Sequence, residues 1–573
     1  MFAILCVQLV AALLPAWRLP AAADGLRGAH AARPRAWPRP QMLTTEEEQR
    51  AMREERGSVV EQPGLSTRFG KAWESLGEDV DWAQIIGERV VDTVDDVFVR
   101  RRAGADATGP AATRLRVVVL GTGWGANALL SQLDGAQFDV TVVSPRNYFL
   151  FTPMLAGAAL GTLEPRSIIE PIRACMPARS NYFEAEATAI DAAACTVACE
   201  TVVCQGVECE RRTFDVPYDV CIVAVGAAPN TFGVRGVREH CLFLKQLSDA
   251  MRFREQLGNA FERASLPGLS DAELRALLTF VVIGAGPTGV ELCGELSDFV
   301  AQDVPRLYGA LLPYVRIVLL EASDKVLMAF DADMQKAALD RLRSAGSSGV
   351  AVEVRTSAGV AEVLAHEIVL TDGERLPYEI AVWAAGIGPL DFVRRAAEAI
   401  PAQAAHAADA RGRLAVDEYM RVLGAPKLLA FGDCAYVAPG PLPATAQVAS
   451  QAGTYLGRLL SDGYDLASAS AVPALPAGAP GAATLRSKLR GAAAGAPPFR
   501  FLNLGTLAYV GGGEALVQVD VGGNGKKIKN AGKAGFALWR SVYLSKQYGV
   551  RNRILVAVDW AKARAFGRDI SRL

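Results

Sequence analysis

Histidine is almost missing from this chain. Four (His30, His240, His366 and His406) stand far apart in 573 residues, so they offer neither a metal cluster nor a histidine acid–base pair. Cysteine is ordinary at ten and shows no disulfide framework. Cys195, Cys199, Cys204 and Cys209 lie close together without a CxxC pair or a nearby histidine. No metal is expected there, and the four read as plain strand or turn positions. No EF-hand loop is present, which excludes calcium control of that kind. The net charge of −1 gives no global field toward a polyanion, so nucleic acid is not an expected partner. The apolar run at residues 2–17 falls short of the ~20 residues a spanning helix needs. What remains is 51% apolar and 21% charged, the balance of a globular protein long enough for two or three domains plus tails.

The N-terminal run looks like the apolar part of a targeting signal, and Ala21-Ala22-Ala23 offers small residues for cleavage. Residues 27–41 follow, rich in Ala, Arg and Pro without one acid, as transit peptides are. Import into a mitochondrion, or into a plastid through the secretory route, is the expectation. Residues 42–113 read as a linker with one helical pattern inside 73–99. Beyond them, short β-branched runs alternate with helical stretches, the signature of βαβ units on a parallel sheet. The strand-like runs are 116–120, 140–143, 220–225, 280–283, 315–320 and 380–383. Residues 464–498 are rich in Ala, Pro, Gly and Ser and read as a surface insertion without a core.

Two glycine-rich turns carry the chemistry. VVVLGTGWGANALL places Gly121, Gly123 and Ala126 at the G-x-G-x-x-G/A positions, and FVVIGAGPTGVELCGEL places Gly284, Gly286 and Gly289 there. Each follows a strand and opens a helix. The first glycine permits the tight turn and the second lets backbone approach a pyrophosphate. The third small residue lets helix pack on strand, and the helix N-terminus favours the phosphates. Two such turns imply two dinucleotides. After the second, VRIVLLEA ends on Glu321, whose carboxylate accepts from an adenosine ribose and repels a 2′-phosphate, favouring NADH over NADPH. Its distance from Gly284 exceeds the usual ~20 residues, so the helix between them must be extended. After the first turn, DVTVVSPRNYF has no acid in that place; Ser144, Pro145 and Arg146 stand there instead.

GTGWGA, SPRNYFLFTPML and RSIIEPIR together resemble the type II NADH dehydrogenases, single-subunit NADH:quinone reductases that pump no protons. The likeness continues through GAGPTGVELCGEL, WAAGI, LLAFGDCA, ATAQVASQ, PFRFLNLGTLAYVG and LWRSVYLS, and covers residues 115–460 and 498–573. It implies an α/β fold with tandem Rossmann-like FAD- and NAD-binding domains and a C-terminal membrane-docking segment. The expected divisions are 1–113 for targeting and linker, 114–275 and 393–463 for the two FAD parts, and 276–392 for NADH. The insertion 464–498 and the C-terminal domain 499–573 complete them. The implied FAD residues are Gly121, Gly123, Trp124, Gly125, Ser144, Pro145, Arg146, Thr152, Pro153, Gly226, Asp433, Ala446 and Gln447. The implied NADH residues are Gly284, Gly286, Pro287, Thr288, Gly289, Glu291, Glu321, Ala385 and Gly386. Asp433, in AFGDCA, would bond the ribityl chain; beside a glycine it also suits a helix cap. The small residues of WAAGI suit backbone approach to the nicotinamide.

Three residues are implied in catalysis. Glu291 would face the contact between nicotinamide and flavin; an acid near a helix start is also favoured by the helix dipole alone. Gln447 and Gln451, four apart, share one helix face and would border the quinone, donating to or accepting from its carbonyls without adding charge. An ordinary polar helix face is the alternative.

From residue 526 onward twelve Lys and Arg meet only two acids, Asp559 and Asp569, with Phe536, Trp539, Tyr543, Ile554, Val558, Trp560 and Phe566 interleaved. That pattern reads as interfacial helices on an anionic membrane surface, or as a basic docking helix for a homodimer. A long-tailed quinone, ubiquinone or plastoquinone, lives in that membrane. The expected place is peripheral on an organelle membrane, the mitochondrial inner membrane first and a plastid membrane second. Two competing readings stay open: a flavin disulfide or sulfide:quinone reductase, which needs a cysteine pair at the flavin, and a non-catalytic FAD/NADH-binding signalling protein. The helix after Gly121 has no cysteine, and Cys293 and Cys434 have no sequence-near partner.

Overall fold

The computed structural model describes residues 114–571 apart from 206–207, 345–349, 439, 469, 475–494 and 522–525. The targeting segment, the linker and its helical pattern lie outside the described residues.

All six strand-like runs are strands, and they sort into two sheets. The first has eight strands, in the order Ala435–Val437, Leu414–Val416, Arg421–Val422, Ala425–Ala430, Val220–Val223, Leu115–Leu120, Phe138–Val143, Asn181–Phe183. Its centre is parallel, with Val117 to Leu120 beside Val220 to Val223 on one side and Val140 to Val143 on the other. The second has five strands, all parallel: Leu242–Phe243, Ile380–Trp383, Thr279–Ile283, Arg316–Leu320 and Val352–Arg355. Buried on both faces, these strands are continuous apolar runs such as VVVL and TFVVI, where an exposed sheet would alternate.

The chain leaves the first sheet after Val223, builds the second, and returns to the first at Leu414. One boundary differs from the sequence reading. Leu242–Phe243 already pairs with Ile380–Trp383, and Phe261 on the helix Leu247–Ala264 packs on Phe280. The second sheet therefore recruits residues well before 276.

Two further expectations are corrected. The ends of the 464–498 segment are not coreless: Leu466 and Ala496 are buried in the first core, and Arg421 donates to the carbonyls of Ser468, Ser470 and Ala471. And Cys204 and Cys209 are not plain strand positions. They face each other across the hairpin of Thr196–Gln205 and Glu208–Pro217 and form a disulfide.

The C-terminal part is a three-stranded antiparallel sheet, Thr506–Tyr509, Ala515–Val521 and Lys526–Gly532, followed by the helices Lys533–Ser545 and Val550–Phe566. The helix Ala446–Ser461 crosses the helix Trp124–Leu130 with almost no gap. A Cβ on Gly453 would stand 2.2 Å from the Gly125 carbonyl oxygen, so only hydrogen fits there. Gly453→Ala is expected to destabilise the protein by about 1–3 kcal/mol through overpacking. Thermal unfolding of the two proteins measures it, and an unchanged midpoint would show that the crossing yields freely.

Candidate functional site

The two glycine turns are built alike. Gly121 and Gly284 both have φ of +107°, and both donate their N–H to the end of the neighbouring strand, at Val143 O (2.9 Å) and Leu320 O (2.7 Å). A Cβ on Gly121 would meet the Ala224 carbonyl at 2.5 Å, and one on Gly284 would meet Ala385 Cα at 2.6 Å. Gly123 and Gly286, by contrast, face open space, with nothing within 4 Å of a built Cβ. Gly289 packs on the Gly284 carbonyl, where a Cβ would come within 2.0 Å. Neither following helix, Trp124–Leu130 or Pro287–Gln302, has a side-chain cap, so no side chain takes the first-turn N–H groups that would receive a phosphate. Open glycines and uncapped turns form the cradle a dinucleotide pyrophosphate fits.

Around the first turn, Thr122 Oγ1 lies 3.3 Å from Ser144 Oγ, and the Arg146 N–H donates to Ser144 Oγ at 3.2 Å. Thr122 and Ser144, not a carboxylate, therefore shape this strand end. The Arg146 guanidinium lies over Tyr148 and donates to Gln246 Oε1, while its buried Nε has no partner. A buried guanidinium N–H left unpaired fits an anionic or carbonyl group of a bound cofactor. Trp124 Nε1 donates to Thr152 Oγ1 at 3.0 Å, which brings Thr152 and Pro153 to the same turn. Gly226, with φ of +72°, faces open space beside the neighbouring strand end.

Asp433 stands in the single turn Gly432–Cys434 after the strand Ala425–Ala430. It faces Lys245, with Nζ 3.9 Å from Oδ2. Burial pushes the Asp433 carboxyl up and the Lys245 ammonium down, and each group's charge works against the other's shift. Lys245 was not among the expected site residues. Its one signal is a lone charge inside CLFLKQL, far from Asp433 in the chain.

Gln447 and Gln451 do share a face of the helix Ala446–Ser461, which starts on the Thr445 cap. Both amides face the backbone that leads into the C-terminal sheet. Gln447 donates to Gly505 O (2.7 Å) and accepts from Leu504 N (3.1 Å). Gln451 donates to Leu502 O (2.8 Å) and accepts from Leu502 N (3.0 Å). Each amide is matched to backbone at both ends, so the pair clamps the 502–505 segment.

Around the second turn, Glu321 Oε2 accepts from Ala285 N and Oε1 from Ser323 N, both at 2.8 Å, so the carboxylate is held against the glycine turn. Ala385 and Gly386 follow the strand Ile380–Trp383, and a Cβ on Gly386 would meet the Phe232 ring at 2.6 Å. Phe232, at φ +52° and mostly exposed, was not foreseen; nothing in its sequence neighbourhood marks it.

Glu291 is the fifth residue of the helix Pro287–Gln302, beyond the first turn, so a helix-start acid held by the dipole is not its explanation. It is buried and accepts the Tyr509 N–H at 3.4 Å from the C-terminal sheet. Burial pushes its carboxyl up to about 8, opposed by that N–H and the Trp539 indole and reinforced by Glu295. Ala285 of the second turn lies in the second apolar core, and Trp124 of the first turn packs against that same core. Among the described residues the one disulfide lies on the distant hairpin, and Cys293 and Cys434 are separate buried thiols; no cysteine pair stands at the turns.

Residues 115–453 match the pyridine nucleotide-disulphide oxidoreductase family and residues 503–569 match the NDH2 C-terminal domain. The chain is 37% identical to a probable NADH dehydrogenase of Dictyostelium discoideum over 80% of its own length and 91% of that protein. It is 36% identical to the internal alternative NAD(P)H-ubiquinone oxidoreductase A1, mitochondrial, of Arabidopsis thaliana, over 80% and 86%. Its fold matches the structure of NDH2 from Plasmodium falciparum in complex with NADH, with a TM-score of 0.68 and 23% identity, over 80% of this chain and 100% of that one. With two like-built dinucleotide turns, each at parallel strands of its own sheet, and the matching C-terminal domain, the chain belongs to the type II NADH dehydrogenase family.

Proposed function

We propose that this chain is an NADH:quinone oxidoreductase that holds FAD at the first turn, NADH at the second, and docks on the membrane that carries its quinone. The observation that carries the reading is the repeated strand–glycine–helix turn, with open glycines at Gly123 and Gly286. When bound, FAD supplies the redox chemistry, accepting hydride from the nicotinamide and handing electrons to the quinone.

The residues divide the remaining work. Gly121, Gly123, Trp124, Gly125, Ser144, Pro145, Arg146, Thr152, Pro153 and Gly226 surround the FAD cradle, with Asp433, backed by Lys245, Ala446 and Gln447 at its second part. Gly284, Gly286, Pro287, Thr288 and Gly289 take the NADH pyrophosphate, and Ala385 and Gly386 line its path. Glu321 selects against a 2′-phosphate by like-charge repulsion. Gln447 and Gln451 hold the 502–505 segment and border the quinone, to which an amide can donate or accept without adding charge. Glu291 keeps a proton near neutral pH beside the C-terminal sheet and serves as proton donor toward the quinone.

The helix Val550–Phe566 buries two polar side chains beside Val556. Asn552 and Asp559 point inward, where Asn552 donates to the Ser167 and Ile169 carbonyls and Asp559 accepts from Glu164 N. Ile554 (57% exposed), Val558 (55%) and Phe566 (74%) point outward among Arg551, Lys562 and Arg564. No helix among the described residues is long and apolar enough to cross a membrane. An outward apolar stripe flanked by cations suits an anionic lipid surface, which we place at the mitochondrial inner membrane, with a plastid membrane second. A homodimer would compete for this stripe, and the vesicle measurement below separates the two.

Purified holoenzyme is expected to oxidise NADH only with a short-chain ubiquinone present, and no quinone-dependent rate would remove the reading. Glu321→Gln is expected to raise kcat/KM for NADPH at least about tenfold; a flat value would misplace the ribose. Ile554→Glu with Val558→Glu would forfeit roughly 2 kcal/mol of apolar transfer per side chain. Sedimentation with anionic vesicles should fall accordingly, and unchanged sedimentation would move the docking surface elsewhere.

Glu291 also makes stability pH-dependent. The folded protein keeps a proton up to about 8 that the unfolded chain releases near 4.5. Stability from this group is therefore full below the lower value and is lost as pH rises through the upper one, by on the order of a few kcal/mol. Glu291→Gln should flatten the fall in unfolding temperature across that window. An unchanged slope would assign the fall to other groups.

A further inference from the structure

Phe232 stands where local chemistry would not put it. Thr231 to Val234 is a tight turn, closed by the Val234 N–H donating to the Thr231 carbonyl at 3.0 Å. Its two central residues, Phe232 and Gly233, both have positive φ, +52° and +76°. That is the pattern of a type I′ turn, whose first central position is ordinarily filled by Asn, Asp or Gly. A bulky aromatic residue with φ in this region is a backbone outlier. Such outliers persist only where the surroundings over-determine them, and they cluster at ligand sites.

The surroundings here do over-determine it. Asn230 donates its N–H to the Gly386 carbonyl at 3.0 Å, and its own carbonyl accepts from the Trp383 indole at 2.9 Å. Its side-chain Oδ1 accepts from the Phe232 N–H at 2.9 Å. Just before it, Ala228 pairs with Gly388 and Pro229 with Ile387. Just after the turn, Arg235 forms an ion pair with Glu362 at 2.6 Å. The turn is thus clamped to the end of the strand Ile380–Trp383, yet the ring is not packed away: Phe232 stays 63% exposed. Its tip lies over Gly386, in the space a Cβ there would take. Gly386 in turn follows Ala385, whose Cα lies against Gly284, the first glycine of the second turn. In the other direction the chain leads back to Ala224, whose carbonyl lies against Gly121. The segment from Ala224 to Phe232 therefore runs from one glycine turn to the other. A fixed, exposed aromatic ring at that junction offers apolar surface for a flat heterocycle to cover.

We propose that the Phe232 ring packs against the nicotinamide end of NADH and sets how tightly that end is held. The inference rests on the NADH assignment above. In that assignment Glu321 serves the adenosine end and the open turn at Gly286 serves the pyrophosphate. The strand end at Ala385 and Gly386, and the ring over it, falls to the nicotinamide. Backbone strain at Phe232 is then what keeps an aromatic side chain at a position where Asn would suit the turn better.

The test uses FAD-loaded protein in anaerobic stopped flow, with two competitors of NADH. NAD+ carries the nicotinamide, and ADP-ribose lacks that ring. Phe232→Ala should raise the NADH concentration that gives half-maximal flavin bleaching at least about tenfold, the loss of one desolvated aromatic contact. It should raise the Ki of NAD+ by a similar factor and leave that of ADP-ribose within about twofold of wild type. Phe232→Tyr, which keeps the ring, should restore NADH binding. Phe232→Asn should lose NADH binding as the alanine variant does, while unfolding at no lower temperature than wild type, because it suits the turn. An unchanged NADH dependence in Phe232→Ala would overturn the proposal. So would equal weakening of NAD+ and ADP-ribose, the mark of a distorted turn. Loss of binding only in variants that also unfold at lower temperature would give the ring a packing role and overturn it as well. A wild-type protein whose flavin NADH does not bleach would instead remove the assignment beneath the proposal.

Discussion

The helix Pro287–Gln302 has to satisfy three parts of the molecule at once. Its first residues close the second glycine turn, with Gly289 against the Gly284 carbonyl. Its middle lies so near the C-terminal sheet that a Cβ on Gly294 would meet Gly511 N at 2.6 Å. Its buried acids receive Tyr509, Gly512, Thr162 and Arg568 from segments on both sides in the chain. Hydride transfer tolerates little misplacement, since about 1 Å costs on the order of a hundredfold in rate. A beam locked at both ends is a physical means of holding the nucleotide turn in register with the rest of the site.

The same logic explains the glutamine clamp. Leu502 to Gly505 leads into the C-terminal sheet, and its backbone is matched to two amides one helical turn apart. That helix also carries Gly453, pressed on the first turn's helix. First turn, clamp, C-terminal sheet and the Pro287–Gln302 helix thus form a closed circuit of packing. The C-terminal helices pack on that sheet through Trp539, Tyr543 and Trp560.

What could be read from the chain alone was local. Both turns were legible because a glycine fingerprint is a contiguous pattern whose geometry is dictated by backbone sterics. Glu321 was legible because it closes the adjacent strand. The backbone partners of the two glutamines were not legible, because which group meets an amide depends on backbone that arrives more than fifty residues later. Thr162 and Glu295 are 133 residues apart and Arg568 lies 406 beyond Thr162, so no spacing rule joins them. The C-terminal helix was legible as amphipathic and basic. Its buried side was not, because only packing decides that Asn552 and Asp559 join Val556 there. The Cys204–Cys209 bond was missed because the hairpin register, which sequence does not disclose, puts the two opposite each other.

The account stands on two dinucleotides meeting in one cleft, held by turns that are structural copies of each other. The most direct measurement is an experimental structure of the protein loaded with FAD and NADH. The account predicts the nicotinamide ring lying flat on the flavin, with the reacting atoms about 3–3.5 Å apart. Nucleotides bound at the two turns but directed to separate surfaces, beyond the reach of a hydride, would contradict it.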